Sequence, residues 1–255
     1  MDNQESSIRG IRSVERASLI MEQFLTHEKL TLKELSQLCG VNSASLSPYL
    51  KSMSNVGLIK KATHGCYELG DYCLDLGIGA LEKRDTFLDV EEAITKLFDR
   101  TEHGVIVSVW GAMGPTPIRM KDNITGLYPE VRLGMISSLV NSTIGRIFSA
   151  NLPENVVRNS LQQEEYRIAG KKLTGEEIER FMQEIKNSDK SLQTYYNFPT
   201  NSLSSMSVPV YELGGHIKYV LSVYQKTHIL KMTEMKTQQL LKTSATELSR
   251  KLGFY

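Results

Sequence analysis

The residue types most often used for catalysis or metal binding are thinly spread along this chain. The five histidines have no cysteine or carboxylate at the spacing of a metal site, and they are His27, His64, His103, His216 and His228. The sequence contains no G-x-S-x-G nucleophile elbow, no phosphate-binding P-loop and no H-E-x-x-H zinc motif. We therefore predict that the chain is not an enzyme and has no metal site or other cofactor.

The cysteines and the apolar stretches indicate in which cellular compartment the protein is expected. Cys39, Cys66 and Cys73 are an odd number of cysteines without C-x-x-C spacing, which argues against a disulfide framework and against structural zinc. No stretch approaches the ~18 consecutive apolar residues of a membrane helix, and the opening MDNQESSIRG is too polar for a signal peptide. We expect a cytoplasmic protein with reduced thiols and no membrane association.

Positive charge is concentrated near the N-terminus. The formal net charge is only +1, yet the segment from Ile8 to Cys66 holds eight Lys and Arg residues against four Glu residues. Such a local excess suits contact with nucleic-acid phosphates. An ordinary solvated surface would give the same balance, so charge alone leaves both interpretations open.

The basic segment has the patterns of consecutive short helices. Residues Ser13 to His27 repeat apolar side chains at the i, i+3, i+4 spacing of a helix with one buried face. Thr31 and Glu34 form a Thr-x-x-Glu capping box that predicts the start of a second helix. Gly40 can take the left-handed conformation that ends this helix.

A third helix and a hairpin complete the pattern. With Asn42 as its cap, the helix is predicted from about Ser43 to Asn55, and two short strands follow around the turn Thr63-His64-Gly65. Two helices joined by a tight turn predict a helix-turn-helix, and the hairpin predicts a wing that contacts a neighbouring phosphate. A three-helix unit without DNA function would share the helices, but not their order with the capping box and the basic wing.

Candidate DNA contacts lie on the first helix, the third helix and the wing. They are Arg12, Asn42, Ser43, Ser45, Ser47, Tyr49, Lys51, Lys60, Lys61 and His64. Basic side chains of this kind contact phosphates, and uncharged hydroxyl and amide groups contact bases or phosphates.

Short motifs in this segment resemble the IclR family of transcriptional regulators. They are Ser13-Val14-Glu15-Arg16-Ala17, Leu32-Lys33-Glu34-Leu35, Cys39-Gly40-Val41, Gly57-Leu58-Ile59 and Tyr67-Glu68-Leu69-Gly70. The resemblance implies a winged helix-turn-helix DNA-binding domain over residues 8–70, after a disordered tail at residues 1–7. We expect a sequence-specific regulator of double-stranded operator DNA, acting as a repressor.

The remaining residues alternate helix and strand patterns. At 255 residues the chain exceeds what one core commonly fills, about 250 residues, so a second domain is expected. We predict a linker helix over residues 71–86 and a domain over residues 87–255. Its features include a helix from about Ser137 to Ala150 and a hairpin at Gly214-Gly215. This order predicts an α+β domain whose antiparallel sheet, flanked by helices, can hold a small ligand.

The second domain resembles the GAF-like effector-binding domain of the same family. The matching motifs include Leu133-Gly134, Gly145-Arg146-Ile147-Phe148-Ser149-Ala150, Met206 to Val210 and Leu221-Ser222-Val223. The resemblance implies a small organic effector, a carboxylate or an aromatic compound, bound through Gly134, Ser142, Thr143, Gly145, Tyr195, Ser205 and Ser222. Each of these residues could instead be an ordinary turn, cap or core residue. The resemblance also implies a homodimer through the N-terminal domain and linker, with a tetramer as the alternative.

Two departures from the family bear on function. Tyr195 and Ser205 stand where the family has an acidic and a cysteine residue, so we expect a polar but uncharged pocket. Pro48 stands where the family usually has arginine, and a proline inside a helix costs about 3 kcal/mol. The third helix must therefore either kink or begin late, with Ser47 as its cap.

The alternative function is that of a degenerate relative that senses a ligand and binds proteins, with weak or no DNA binding.

Overall fold

The computed structural model describes residues 11–82, 87–122, 132–164, 173–197 and 202–255. The chain divides into two compact units, Met1–Arg84 and Asp85–Tyr255. The predicted tail at residues 1–7 and the last residues of the predicted linker, 83–86, lie outside the described residues. No described helix is both long enough and apolar enough to span a membrane.

The first unit combines helices with a small antiparallel sheet. In chain order its elements are α1 (Arg12–Gln23), β1 (Leu30–Thr31), α2 (Leu32–Cys39), α3 (Ser43–Asn55), β2 (Ile59–Lys61), β3 (Cys66–Leu69) and α4 (Asp71–Glu82). The strand order is β1-β3-β2, and a 3-10 turn over Thr63–Gly65 joins β2 to β3. The predicted helix-turn-helix and wing are therefore confirmed. Their common core contains Ile20, Phe24, Leu30, Leu35, Leu46, Leu50, Met53 and Ile59.

The predicted capping residues set the ends of the helices. The Thr31 Oγ1 accepts a hydrogen bond from the Glu34 amide at 3.2 Å, and the Glu34 carboxylate accepts from the Thr31 amide at 2.7 Å. Gly40 ends α2 at φ 63°, a conformation that glycine adopts without steric cost. The Asn42 Oδ1 accepts from the Ser45 amide at 2.8 Å and caps α3.

Pro48 lies inside α3 and does not start it. The helix begins at Ser43, and its capping residue is Asn42, so the prediction of a late start with Ser47 as the cap is wrong. Because proline has no N–H, the Ala44 carbonyl four residues earlier loses its helical hydrogen-bond donor. Ala44 and Pro48 are both exposed, so solvent reaches this turn of the helix.

The second unit is built around one antiparallel sheet. In chain order its elements are α5 (Phe87–Thr101), β4 (Gly104–Gly111), β5 (Gly114–Lys121), α6 (Thr143–Asn151), α7 (Glu154–Glu164), α8 (Gly175–Lys186), β6 (Gln193–Tyr195), β7 (Leu203–Tyr211), β8 (Ile217–Lys226), α9 (Thr227–Met232) and α10 (Glu234–Lys251). The strand order is β5-β4-β8-β7-β6, with every neighbouring pair antiparallel. The predicted α+β class and the hairpin at Gly214-Gly215 are confirmed.

The two faces of this sheet carry different layers. Alternate side chains of β4, β7 and β8 pack on one face against α5 and α10, and those of β4 and β8 pack on the other face against α6. Helices α7 and α8 pack with residues next to α6 in a further cluster. As a result, α6 is buried along its length from Thr143 to Ala150.

The start of α6 corrects the sequence prediction. A helix was expected from Ser137, but residues before Thr143 form a turn in which the Ser138 Oγ accepts from the Asn141 amide at 2.8 Å. Ser142 is the helix cap, and its Oγ accepts from the Gly145 amide at 2.8 Å. Elements β1, α7, β6 and α9 were not predicted from the sequence.

Candidate functional sites

The predicted DNA-contacting residues of α3 are not equally available. Ser45, Ser47 and Lys51 are exposed, and Ser47 and Lys51 lie one helical turn apart on the same face. Tyr49 instead packs against the core of the first unit. The side-chain oxygen Oδ1 of Asn42 accepts the hydrogen bond that caps the helix, which leaves the side-chain NH2 group as the part able to contact DNA.

The wing residue Lys60 is engaged within the protein. Its Nζ lies 2.8 Å from a carboxylate oxygen of Asp71, the first residue of α4, and 3.8 Å from a carboxylate oxygen of Glu68 on the neighbouring strand. The hydrogen bond to Asp71 raises the pKa of the Lys60 ammonium. Since Asp71 is 84% exposed, this surface ion pair is weak and a phosphate can compete for the lysine.

The other predicted contacts of the first unit are exposed. Arg12 opens α1, Lys61 ends β2 and His64 lies in the turn between the wing strands. His64 has φ 59° and the next residue, Gly65, has φ 74°, so two consecutive left-handed residues form the tip of the wing. Within the described ranges, Lys61 forms no ion pair, which leaves its charge free for a phosphate.

The two wing lysines are expected to contribute unequally to DNA binding. Each neutralised phosphate adds about 0.9 to the slope of log affinity against log salt, so Lys61→Ala should flatten the slope by about that amount. Lys60→Ala should flatten it less, because Asp71 already compensates its charge. Fluorescence anisotropy between roughly 50 and 200 mM salt measures this, with Lys236→Ala on α10 as the control. An unchanged slope when both lysines are replaced by alanine would show that the wing does not contact DNA.

The predicted effector residues converge on the face of the sheet that carries α6. The Ser222 and Ser207 Oγ atoms are 2.7 Å apart, Ser207 donates to the Thr143 Oγ1 at 2.7 Å, and Thr143 lies 3.1 Å from the Ser205 Oγ. Thr143, Ser207 and Ser222 are buried, whereas Ser205 is half-buried. The structure thus brings three predicted residues together in a chain of hydroxyl groups. Ser207 was missed, although it alternates with Ser205 on one face of a strand.

Tyr195 lies at one end of this hydroxyl chain. It pairs with Ser205 across β6 and β7, and its hydroxyl donates to the Val140 carbonyl at 3.2 Å. Burial raises the pKa of the Tyr195 hydroxyl, and the nearby Arg146 charge acts in the opposite direction. The phenol is therefore neutral near pH 7 and can serve as a hydrogen-bonding group and an aromatic surface.

Three other predicted effector residues have structural roles. A Cβ at Gly145 would lie 2.1 Å from the Ser138 carbonyl oxygen, so only glycine allows the turn before α6 to pack on the helix. The Ser142 hydroxyl caps the helix and donates to the same oxygen at 2.6 Å. Gly134, at φ 81°, donates from its amide to Pro117 on β5, the edge strand farthest from β6.

Ser108 is a buried hydroxyl that the sequence analysis did not identify. It lies on β4 opposite Val220, on the same face as Ser222 because alternate residues of a strand share a face. Its Oγ has no hydrogen-bond partner among the described residues. An unsatisfied buried hydroxyl costs about 1–3 kcal/mol, so this atom is a candidate contact for a water molecule or a polar ligand group.

A buried positive charge borders the candidate effector site. Arg146 is 6% exposed, and its guanidinium donates to the Gln193 side-chain oxygen at 3.2 Å and to the Glu184 carboxylate at 2.5 Å. The same group lies 5.6 Å from the ring centroid of Tyr195. The expectation of an uncharged pocket therefore needs correction. Arg146 lies within the motif Gly145-Arg146-Ile147-Phe148-Ser149-Ala150, but its burial could not be predicted because its polar partners are 38 and 47 residues away in sequence.

Comparison with known families accounts for both units. A model of the IclR helix-turn-helix domain matches residues 13–62, and a model of the C-terminal domain of the bacterial transcriptional regulator IclR matches residues 123–250. The chain belongs to the IclR family. This IclR-family regulator therefore joins a DNA-binding helix-turn-helix domain to the effector-binding type of C-terminal domain.

Individual relatives are distant. KipR, an HTH-type transcriptional regulator of Bacillus subtilis, is 22% identical over an alignment covering 95% of this chain and 98% of KipR. The "Probable HTH-type transcriptional regulator ArcR" of Halobacterium salinarum is 30% identical, but the alignment covers only 37% of this chain and 36% of that relative. The crystal structure of an IclR homologue from Microbacterium hydrocarbonoxydans, complexed with 4-hydroxybenzoate, has a TM-score of 0.70 at 17% identity and covers 94% of this chain and 99% of that one. At this identity the structural match establishes the fold alone.

Proposed function

We propose that this IclR-family regulator is a cytoplasmic repressor that binds operator DNA and responds to a small organic effector. The observation that carries the DNA-binding part is the capped helix α3, which exposes Ser45, Ser47 and Lys51. The exposed wing residues Lys61 and His64 add to it. A recognition helix beside a basic wing suits contact with bases and with the neighbouring phosphates.

The effector site is proposed on the α6 face of the sheet. The hydroxyl chain ends at the half-buried Ser205, next to the Tyr195 phenol. The Gly145 amide donates to the Ser142 cap, whereas the amides of Thr143 and Ile144 at the start of α6 have no acceptor inside the helix, and a helix N-terminus favours an anion. A relative of the same fold binds 4-hydroxybenzoate. These features favour a carboxylate, and one with an aromatic ring, as the effector.

The proposed assembly is a homodimer formed through α1 and α4. Both helices carry exposed apolar side chains, among them Val14 at 65%, Leu74 at 63% and Leu76 at 50% exposure. Two recognition helices must meet half-sites about 34 Å apart, so a small change in the linker helix alters DNA affinity. A coupling of about 1–3 kcal/mol between effector and DNA is typical of such regulators.

Operator binding is the test of this function. DNA from upstream of the chain's own gene and its neighbours is titrated at one stated salt concentration, with shuffled DNA of equal length as the control. We expect binding at least 10³-fold tighter to one of these fragments than to shuffled DNA, with a change on adding a small carboxylate. Equal affinity for both DNAs would contradict the regulator and favour the ligand-sensing adaptor. If adding the carboxylate tightened operator binding, this would contradict a repressor that its effector releases from DNA.

A further inference from the structure

The Arg146–Glu184 ion pair is asymmetric. The Arg146 side chain is 8% exposed and the Glu184 side chain is 58% exposed. The guanidinium lies near two rings, 5.7 Å from the centroid of Phe181 and 5.6 Å from that of Tyr195, and it also donates a hydrogen bond to Gln193. Glu184 reaches it from α8 through one oxygen. The arginine is therefore fixed, whereas the exposed glutamate has room to turn into water when another anion takes its place beside the arginine.

This fixed charge lies beside the proposed effector site. Tyr195, whose ring faces the guanidinium, pairs with Ser205 at the end of the hydroxyl chain. Arg146 also follows Thr143 by three residues on α6, so the two side chains lie on neighbouring positions of one helix face. A ligand that contacts Ser205 and Tyr195 is thus within reach of the guanidinium.

We propose that Arg146 determines the specificity of the effector site for carboxylates, and that the effector carboxylate takes the place that Glu184 holds in the unliganded protein. This inference rests on the proposed effector-binding function. A guanidinium binds a carboxylate through two parallel N–H···O bonds, whereas Glu184 uses one oxygen. A buried charge requires a partner, so only another anion can displace Glu184 from it.

The surroundings specify the ligand further. The half-buried Tyr195 ring lies beside the guanidinium and offers aromatic surface to a flat ring attached to the carboxylate. An amide of the same shape matches the ring surface but carries no charge. The chemical class is therefore an aromatic or similarly flat monocarboxylate, selected over its neutral amide.

Substitutions at the two partners test this assignment in opposite directions. Benzoate and 4-hydroxybenzoate are compared with benzamide and 4-hydroxybenzamide by calorimetry on the full chain. Glu184→Gln removes the competing anion and is expected to tighten carboxylate binding by about fivefold without changing amide binding. Arg146→Gln is expected to weaken carboxylate binding by roughly tenfold or more. Glu179→Gln is the matched control, because Glu179 is an equally exposed residue of α8 that pairs with Arg158.

Each outcome decides the proposal. The role of Arg146 would be overturned if the substitutions changed the affinities for acids and amides equally, or if Glu184→Gln left the affinity for the acids unchanged. It would also be overturned if neither acid bound the parent protein. If Arg146→Gln does not fold, Glu184→Gln, which changes an exposed side chain, still gives the answer. Operator affinity of the same proteins is measured without ligand. If the parent protein binds operator DNA but shows no preference for acids over amides, only this inference is refuted. If the parent protein does not bind operator DNA, the proposed function is refuted.

Discussion

Replacing Pro48 with arginine is expected to raise both the thermal stability of the first unit and its affinity for DNA. The new N–H can donate to the Ala44 carbonyl inside α3, which begins at Ser43. Removing an internal proline gains about 3 kcal/mol, of which about 1 kcal/mol is lost because proline also restricts the unfolded chain. The net gain of about 2 kcal/mol corresponds to a rise in Tm on the order of 10 °C for a unit of this size. The exposed charge adds one phosphate contact.

Pro48→Ala separates the two effects. Alanine restores the helical hydrogen bond without adding charge, so the Tm should rise as in Pro48→Arg, while the salt slope of DNA binding stays that of the parent. Calorimetry and salt-dependent anisotropy are the measurements. A lower Tm together with lost operator binding would mean that Pro48 shapes a distinct recognition surface, and would contradict the view that it only weakens the helix.

Gly145→Ala is expected to be strongly destabilising to the second unit. Its Cβ would lie 2.1 Å from the Ser138 carbonyl oxygen and 2.5 Å from the Leu139 Cα, and backbone atoms cannot turn away as a flexible side chain can. Overpacking of this kind costs about 1–3 kcal/mol, which lowers Tm by roughly 3–10 °C in a unit of this size. The turn before α6 would move away from the helix, so carboxylate binding should weaken as well.

Gly175→Ala is the matched control for this substitution. Gly175 is the first residue of α8, and a Cβ there would meet no atom within 4 Å. Because alanine is the better helix former, the free energy of unfolding should stay the same or rise by up to about 1 kcal/mol. If Gly145→Ala were as stable as Gly175→Ala, the turn would be able to shift freely and glycine would not be required at position 145.

The winged helix was largely predictable because its signals are local. The Thr31–Glu34 capping box, Gly40 and Asn42 each act within three or four residues, and α3 has the predicted bounds of Ser43 and Asn55. Of the two alternatives that Pro48 left open, a kinked helix or a late start, the late start is wrong. The Asn42 cap and the buried Leu46, Leu50 and Met53 instead hold the helix from Ser43 onward.

The effector site was less predictable because it depends on contacts distant in sequence. Leu139 continues the helical spacing of apolar residues before α6, but it packs from a turn, so the predicted helix began too early. The polar partners of Arg146 come from α8 and β6, and no short motif encodes such a contact. Resemblance to the family supplied Thr143, Ser205 and Ser222, but not the buried charge beside them.

The chain of hydroxyl groups has a direction, because each hydroxyl carries one proton. Ser207 donates its proton to Thr143, so the bond between Ser207 and Ser222 must use the Ser222 proton. When Thr143 donates its own proton to Ser205, the Ser205 proton is available at the half-buried end. In that arrangement the hydroxyl chain presents a hydrogen-bond donor to a ligand at Ser205. A carboxylate oxygen can accept the Ser205 proton without any change in the other hydrogen bonds, whereas a donor ligand could use only a remaining lone pair of the Ser205 oxygen.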